Sequence, residues 1–102
     1  MSTVEGPEAA ARRTSWGWSP VAERVVAFVL IVTEIGREYE IAEKIRRVAA
    51  EAGVEAEAYV VYGEYDVAAK ITADSLKKID KAVTAIRTLP GVLRTVTLIA
   101  AE

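Results

Sequence analysis

The stretch "YVVYGEYDVAAK", residues 59–70, gathers the side chains best suited to chemistry around one glycine. Asp66 brings a carboxylate able to accept a charge-assisted hydrogen bond from a cation. Gly63 permits turn conformations that aim successive backbone amides, its own and that of Glu64, into an anion-holding concavity. Tyr62 and Tyr65 add apolar walls with hydroxyl tips. In the final apolar run, Thr95 and Thr97 share a face and offer hydroxyls that both donate and accept. Each residue also has a plainer role. Gly63 suits a turn, Asp66 can cap it, the tyrosines can pack at an interface, and threonine is favoured in strands.

The inventory limits the chemistry sharply. The chain has no histidine and no cysteine, which leaves Asp, Glu, Lys and Tyr to carry any general acid or base role. Disulfides and thiolate metal sites are excluded, and a carboxylate-only metal site has little to build on beyond Glu55 and Glu57. We expect no cofactor and no catalysis. A net charge of -2 supplies no basic field for a phosphate backbone, so no direct nucleic-acid contact is expected.

At 102 residues, with 52% hydrophobic and 27% charged side chains, the chain corresponds to one globular domain. Its most apolar run, Val25 to Val32, is far short of the ~20 residues that cross a bilayer. Residues 1–24 carry Gly6, Pro7, Gly17 and Pro20 with no sustained apolar period and no signal-type apolar region, and read as a tail, extended or partly disordered. Trp16 and Trp18 in that tail are costly to leave in water and suit docking on the domain or on a neighbouring subunit. Lacking an address or anchor, the chain is expected in the cytoplasm, with no membrane partner.

From Val25 to the end, regular punctuation replaces the tail. "VVAFVLIVT" is a strand apolar on both faces. "GREYEIAEKIRRVAAEAG" is a helix with Ile41, Ile45, Val48, Ala49 and Ala52 on one stripe and Gly53 as its stop. Its Glu40 with Lys44, and Glu43 with Arg47, have the spacing of helix-supporting ion pairs. "VEAEAYVVY" alternates, with Val54, Ala56, Ala58, Val60 and Tyr62 to one side. "DVAAKITA" returns as its hairpin partner. Asp74 is placed to cap a second helix, with Leu76, Ile79, Val83 and Ile86 inward, that ends before Pro90. "GVLRTVTLIAA" forms a last strand.

The order βαββαβ and the right-handed crossover rule predict an α+β, ferredoxin-like sandwich with strand order 4-1-3-2. Two helices cover only one side of that sheet. Val26, Phe28, Leu30 and Val32, on the other side of the first strand, would remain as an apolar patch of several hundred Å². At ~25 cal/mol per Å², its burial is worth several kcal/mol, which predicts a homodimer packed sheet against sheet. The competing cover is the tryptophan-bearing tail.

Four segments carry a family resemblance: "AFVLIVTE", the hairpin "EAYVVYGEYDVAAKI", the helix and turn "LKKIDKAVTAIRTLPGV", and "RTVTLIA". Residues 25–102 thereby resemble the C-terminal effector domain, or RAM domain, of the Lrp/AsnC transcription regulators. The resemblance implies a dimeric α+β barrel, assembly into an octamer or similar ring, and an amino-acid effector bound between dimers near the hairpin tip and last strand. On this chain, the effector contacts implied are Tyr62, Gly63, Glu64, Tyr65, Asp66, Thr95 and Thr97. Asp66 would take the ammonium and the Gly63–Glu64 amides the carboxylate. Full-length regulators carry a helix-turn-helix domain of about fifty residues ahead of this one. The short, Gly- and Pro-containing segment here leaves a stand-alone effector-binding and oligomerisation module, with full-length Lrp/AsnC regulators among its expected partners. Two alternatives share the fold: a small cofactor-poor enzyme of monooxygenase type, disfavoured by the absence of His and Asn, and an ACT-type sensor, which usually pairs sheets side by side.

Overall fold

The computed structural model describes residues 24–100. Six elements follow in the expected order: β1 (Val25–Thr33), α1 (Glu38–Ala52), β2 (Glu55–Val60), β3 (Val67–Ala73), α2 (Leu76–Arg87) and β4 (Val92–Ile99). The strands form one antiparallel sheet in the order β2-β3-β1-β4, the ferredoxin-like arrangement read from its other edge. Trp16 and Trp18 lie outside the described residues.

Strict alternation builds the core. On β1, Ala27, Val29 and Ile31 are fully buried, and on β3 Val67, Ala69 and Ile71 alternate in the same way. Ile41 and Ile45 of α1 and Ile79 and Ile86 of α2 complete that layer, all without exposed surface. The opposite face of β1 is left by the helices: Val26, Leu30 and Val32 are half-buried and Phe28 is 42% exposed. The register extends this face sideways, setting Phe28 between Lys70 and Leu98, and Leu30 between Ala68 and Val96.

Helix ends follow local chemistry. Gly53 closes α1 in the left-handed conformation, φ 78°, where its amide reaches back to the Ala49 and Ala50 carbonyls. The α2 cap is Ser75, not the expected Asp74: Ser75 keeps extended backbone and its hydroxyl accepts from the Lys78 amide at 3.3 Å. Asp74 instead pairs with the Lys78 ammonium at 3.4 Å. The shift turns the helix so that Leu76 is exposed and Ala82 takes an inward position. On α1, Glu40 and Lys44 pair at 2.9 Å as expected, whereas Glu43 meets Arg46 at 3.7 Å instead of Arg47. Arg46 is drawn that way by the Ala58 carbonyl, to which it donates at 2.9 Å.

One clasp joins two loops at a single end of the sheet. Arg37 donates to Glu40 at 2.8 and 3.2 Å and to Glu34 at 3.1 Å, and the Glu34 amide donates to the Gly91 carbonyl at 2.9 Å. The Arg37 guanidinium lies so close over Gly91 that a Cβ there would sit 3.0 Å from it. Gly91 also has φ 97°, so a side chain is opposed by both conformation and contact.

Two stability outcomes follow from this packing. Ile45→Ala, in the fully buried layer, should lose about 2–5 kcal/mol in urea unfolding, whereas Leu76→Ala on the exposed α2 flank should lose under about 1 kcal/mol. Gly91→Ala should cost roughly 1–3 kcal/mol in the same measurement, from forced backbone conformation and displacement of Arg37.

Candidate functional site

The hairpin is shorter in its pairing than the alternation suggests. β2 ends at Val60, so Tyr62 leaves the strand and stands 96% exposed instead of following Val60 inward. Asp66 organises the turn. Its carbonyl accepts from the Val61 amide at 3.0 Å, its amide donates to the Ile31 carbonyl at 2.9 Å, and its Oδ2 accepts from the Thr33 amide at 2.9 Å. The carboxylate thereby fastens the tip to the end of β1, and its other oxygen makes no hydrogen bond among the described residues. Gly63 has φ 134° with open space where a Cβ would point, so backbone conformation and not crowding demands glycine there.

Beside the tip lies a groove of about 340 Å³, walled by Tyr62, Gly63 and Asp66 on one side and by Glu38 and Tyr39 of α1 on the other. Sequence reasoning missed Glu38 and Tyr39. The signal was a tyrosine on the charged flank of α1, where it remains 74% exposed with no core to fill. A second groove, of about 500 Å³, lies between α2 and β4, with Val83 and Arg87 facing Thr95 and Thr97, and with Arg94 at its border. Thr95 pairs with Ile31 and Thr97 with Val29, two residues of the helix-covered face, which places both threonines on the helix side of an edge strand. Arg87 and Arg94 were not singled out from sequence, although Arg94 immediately precedes Thr95.

The seven expected contacts are therefore divided within one chain. Tyr62, Gly63 and Asp66 line the first groove, Thr95 and Thr97 the second, and Glu64 and Tyr65 neither. Glu64 is exposed. Tyr65 is half-buried, with the Arg94 guanidinium 5.8 Å from its ring centroid, a cation–π contact that links the hairpin to β4 past the end of β1.

The electrostatics beside the first groove are set by the clasp. Hydrogen bonds from Arg37, then from Lys44, hold the Glu40 carboxyl down at about 2, and the same contacts with Glu40 and Glu34 hold the Arg37 guanidinium above its ordinary value. At the far edge, the bond to Glu57 at 2.9 Å raises the Tyr59 phenol. Among the described residues no cluster of three or more carboxylates could hold a metal, and no helix is long and apolar enough to cross a membrane.

The Lrp/AsnC ligand binding domain family matches residues 26–102. Among solved structures, hypothetical protein PHS023 from Pyrococcus horikoshii is 46% identical, over 76% of this chain and 90% of that one, with a TM-score of 0.64. FFRP-DM1 is 47% identical over 74% of this chain and 97% of its own, with a TM-score of 0.63. Escherichia coli AsnC shares the fold at 22% identity and a TM-score of 0.54, with 87% of this chain aligned to 60% of that longer one. No curated protein matches. With the βαββαβ sheet, its helix-free apolar face and the Asp66-fastened hairpin all lying inside the matched span, the chain belongs to the Lrp/AsnC ligand binding domain family.

Proposed function

We propose that this protein is a non-catalytic effector-binding and oligomerisation module, which takes an amino acid at contacts between dimers and passes the binding event on as a change of assembly. The family match over residues 26–102 carries this reading. The stand-alone form is supported by PHS023 and FFRP-DM1, in which the same domain fills 90% and 97% of the chain.

The dimer rests on the helix-free face. Phe28, Leu30, Val96 and Leu98 form one continuous apolar strip, and a second copy buries it sheet against sheet. The effector site rests on the division between the two grooves. A free amino acid needs a fixed acceptor beside fixed donors. The hairpin groove and the turn beside it would supply both, with the unengaged Asp66 oxygen for the ammonium and the amides of Gly63, in the groove wall, and of Glu64, next to it, for the carboxylate. The effector's side chain then reaches the Thr95 and Thr97 groove of a neighbouring copy, so the complete site exists only in the higher assembly. Such coupling of ligand to assembly is typically worth about 1–3 kcal/mol. Mixed assembly with full-length Lrp/AsnC regulators would carry the signal to DNA.

Titration calorimetry against the twenty amino acids, combined with light scattering, tests this function. At least one should bind and shift the mass distribution, and Tyr62→Ala should weaken it about tenfold without altering thermal stability, since Tyr62 is 96% exposed. Twenty silent titrations with unchanged mass would overturn the reading. Sedimentation of the free protein should give particles of at least twice 11.0 kDa, and Phe28→Asp should reduce them to that single-chain mass.

A further inference from the structure

The groove between α2 and β4 has a charge that the rest of the molecule does not prepare. The chain is net negative, with 15 acidic against 13 basic residues. Yet among the described residues this groove is lined by Arg87 and the hydroxyl-bearing Thr95 and Thr97, with no carboxylate. Three basic residues at α1 are differently placed: Arg37 at its cap, and Lys44 and Arg46 within it, each lie within 4 Å of a glutamate on the same helix or its leading loop. Among the described residues no carboxylate stands within ion-pair distance of Arg87 or Arg94.

An arginine in the last turn of a helix is favoured by the helix dipole alone. That dipole is partly answered here without Arg87, because the Thr88 hydroxyl donates to the Ala85 carbonyl at 3.0 Å and the Leu89 amide to the Ile86 carbonyl at 3.1 Å. The guanidinium of Arg87 keeps its planar fork of donors, a shape matched to a carboxylate or phosphate held by two parallel bonds. Across the groove, two threonine hydroxyls stand on one strand face two residues apart. Arg94, just before Thr95 in sequence, pairs with Val32 and turns to the helix-free face, where it meets the Tyr65 ring, so the groove's cation is Arg87.

From this juxtaposition we infer that the α2–β4 groove is an anion subsite, with Arg87 as its main charge partner and Thr95 and Thr97 as neutral donors, so that the module selects an effector bearing a second acidic group: a dicarboxylic amino acid or a similarly sized phosphorylated one. The inference rests on the effector reading above and adds the ligand class to it. The selectivity has a physical basis. A neutral isostere would leave the Arg87 guanidinium unanswered on assembly, whereas an anion satisfies it.

The groove can be tested apart from amino-acid binding. Glutarate, a dicarboxylate with no ammonium group, is titrated into ¹⁵N-labelled protein while the Thr95 and Thr97 amide resonances are followed. A saturable shift at both, lost in Arg87→Gln and kept in Arg87→Lys, supports the anion subsite. No shift, or one that Arg87→Gln leaves intact, overturns it. Calorimetry with glutamate and glutamine then tests selectivity: glutamate should bind roughly tenfold or more tightly, and Arg87→Gln should erase that preference while leaving glutamine unaffected. Equal affinities, or a preference that survives Arg87→Gln, overturn the inference yet leave the effector reading standing. A glutarate shift with no amino acid bound would overturn the effector reading and keep the anion groove.

Discussion

Two helices can cover one side of a four-stranded sheet, and β1 is apolar on both sides. On the covered side Ala27, Val29 and Ile31 reach zero exposure against α1 and α2. On the other, Phe28 and Leu98 keep 42% and 50% of their surface and are covered by neither helix. Hydrophobic burial is non-directional and scales with area, so a central strand built this way favours a second layer as strongly as it favours the first. The proposed assembly would thus belong to the same accounting that folds the domain, and the proposed sites at its edges would inherit that dependence.

The hairpin shows how structure and binding share residues. Asp66 uses its amide, its carbonyl and one carboxylate oxygen to fasten the tip to β1 and close the turn. Its structural role therefore does not compete with a ligand role: the fastening fixes the direction of the remaining oxygen, and a fixed acceptor loses less entropy on binding than a mobile one. Tyr62 is the converse, a large side chain with almost no contact in its own chain and hence with surface to give to a ligand or a neighbour. Between the two grooves runs the clasp of Glu34, Arg37, Glu40 and Gly91, which ties the loop leading into α1, next to Tyr39, to the loop leading into β4. It makes one end of the sheet a single rigid platform.

The elements and their faces were legible in the sequence because periodicity reports burial directly. The alternation on β1 and β3, the stripe on α1 and Gly53 as a stop all match the structure. The failures were local and have local causes. Ser75 displaced Asp74 as cap because either residue can offer an accepting oxygen and the choice depends on where the backbone turns helical. Glu43 paired with Arg46 because the Ala58 carbonyl, distant in sequence, captured that guanidinium.

What the sequence alone determined was the βαββαβ order, the identity of the core and the uncovered face, since each follows from side-chain type at a fixed period. It also marked Gly63 and Asp66 as the residues of the turn, because they act there through properties of their own backbone and carboxylate. Only the tertiary structure decided that Thr95 and Thr97 stand on the helix side of an edge strand, in a different groove from the hairpin and opposite Arg87. That placement depends on strand register and on where α2 crosses the sheet, which join residues distant along the chain and leave no periodic trace in it.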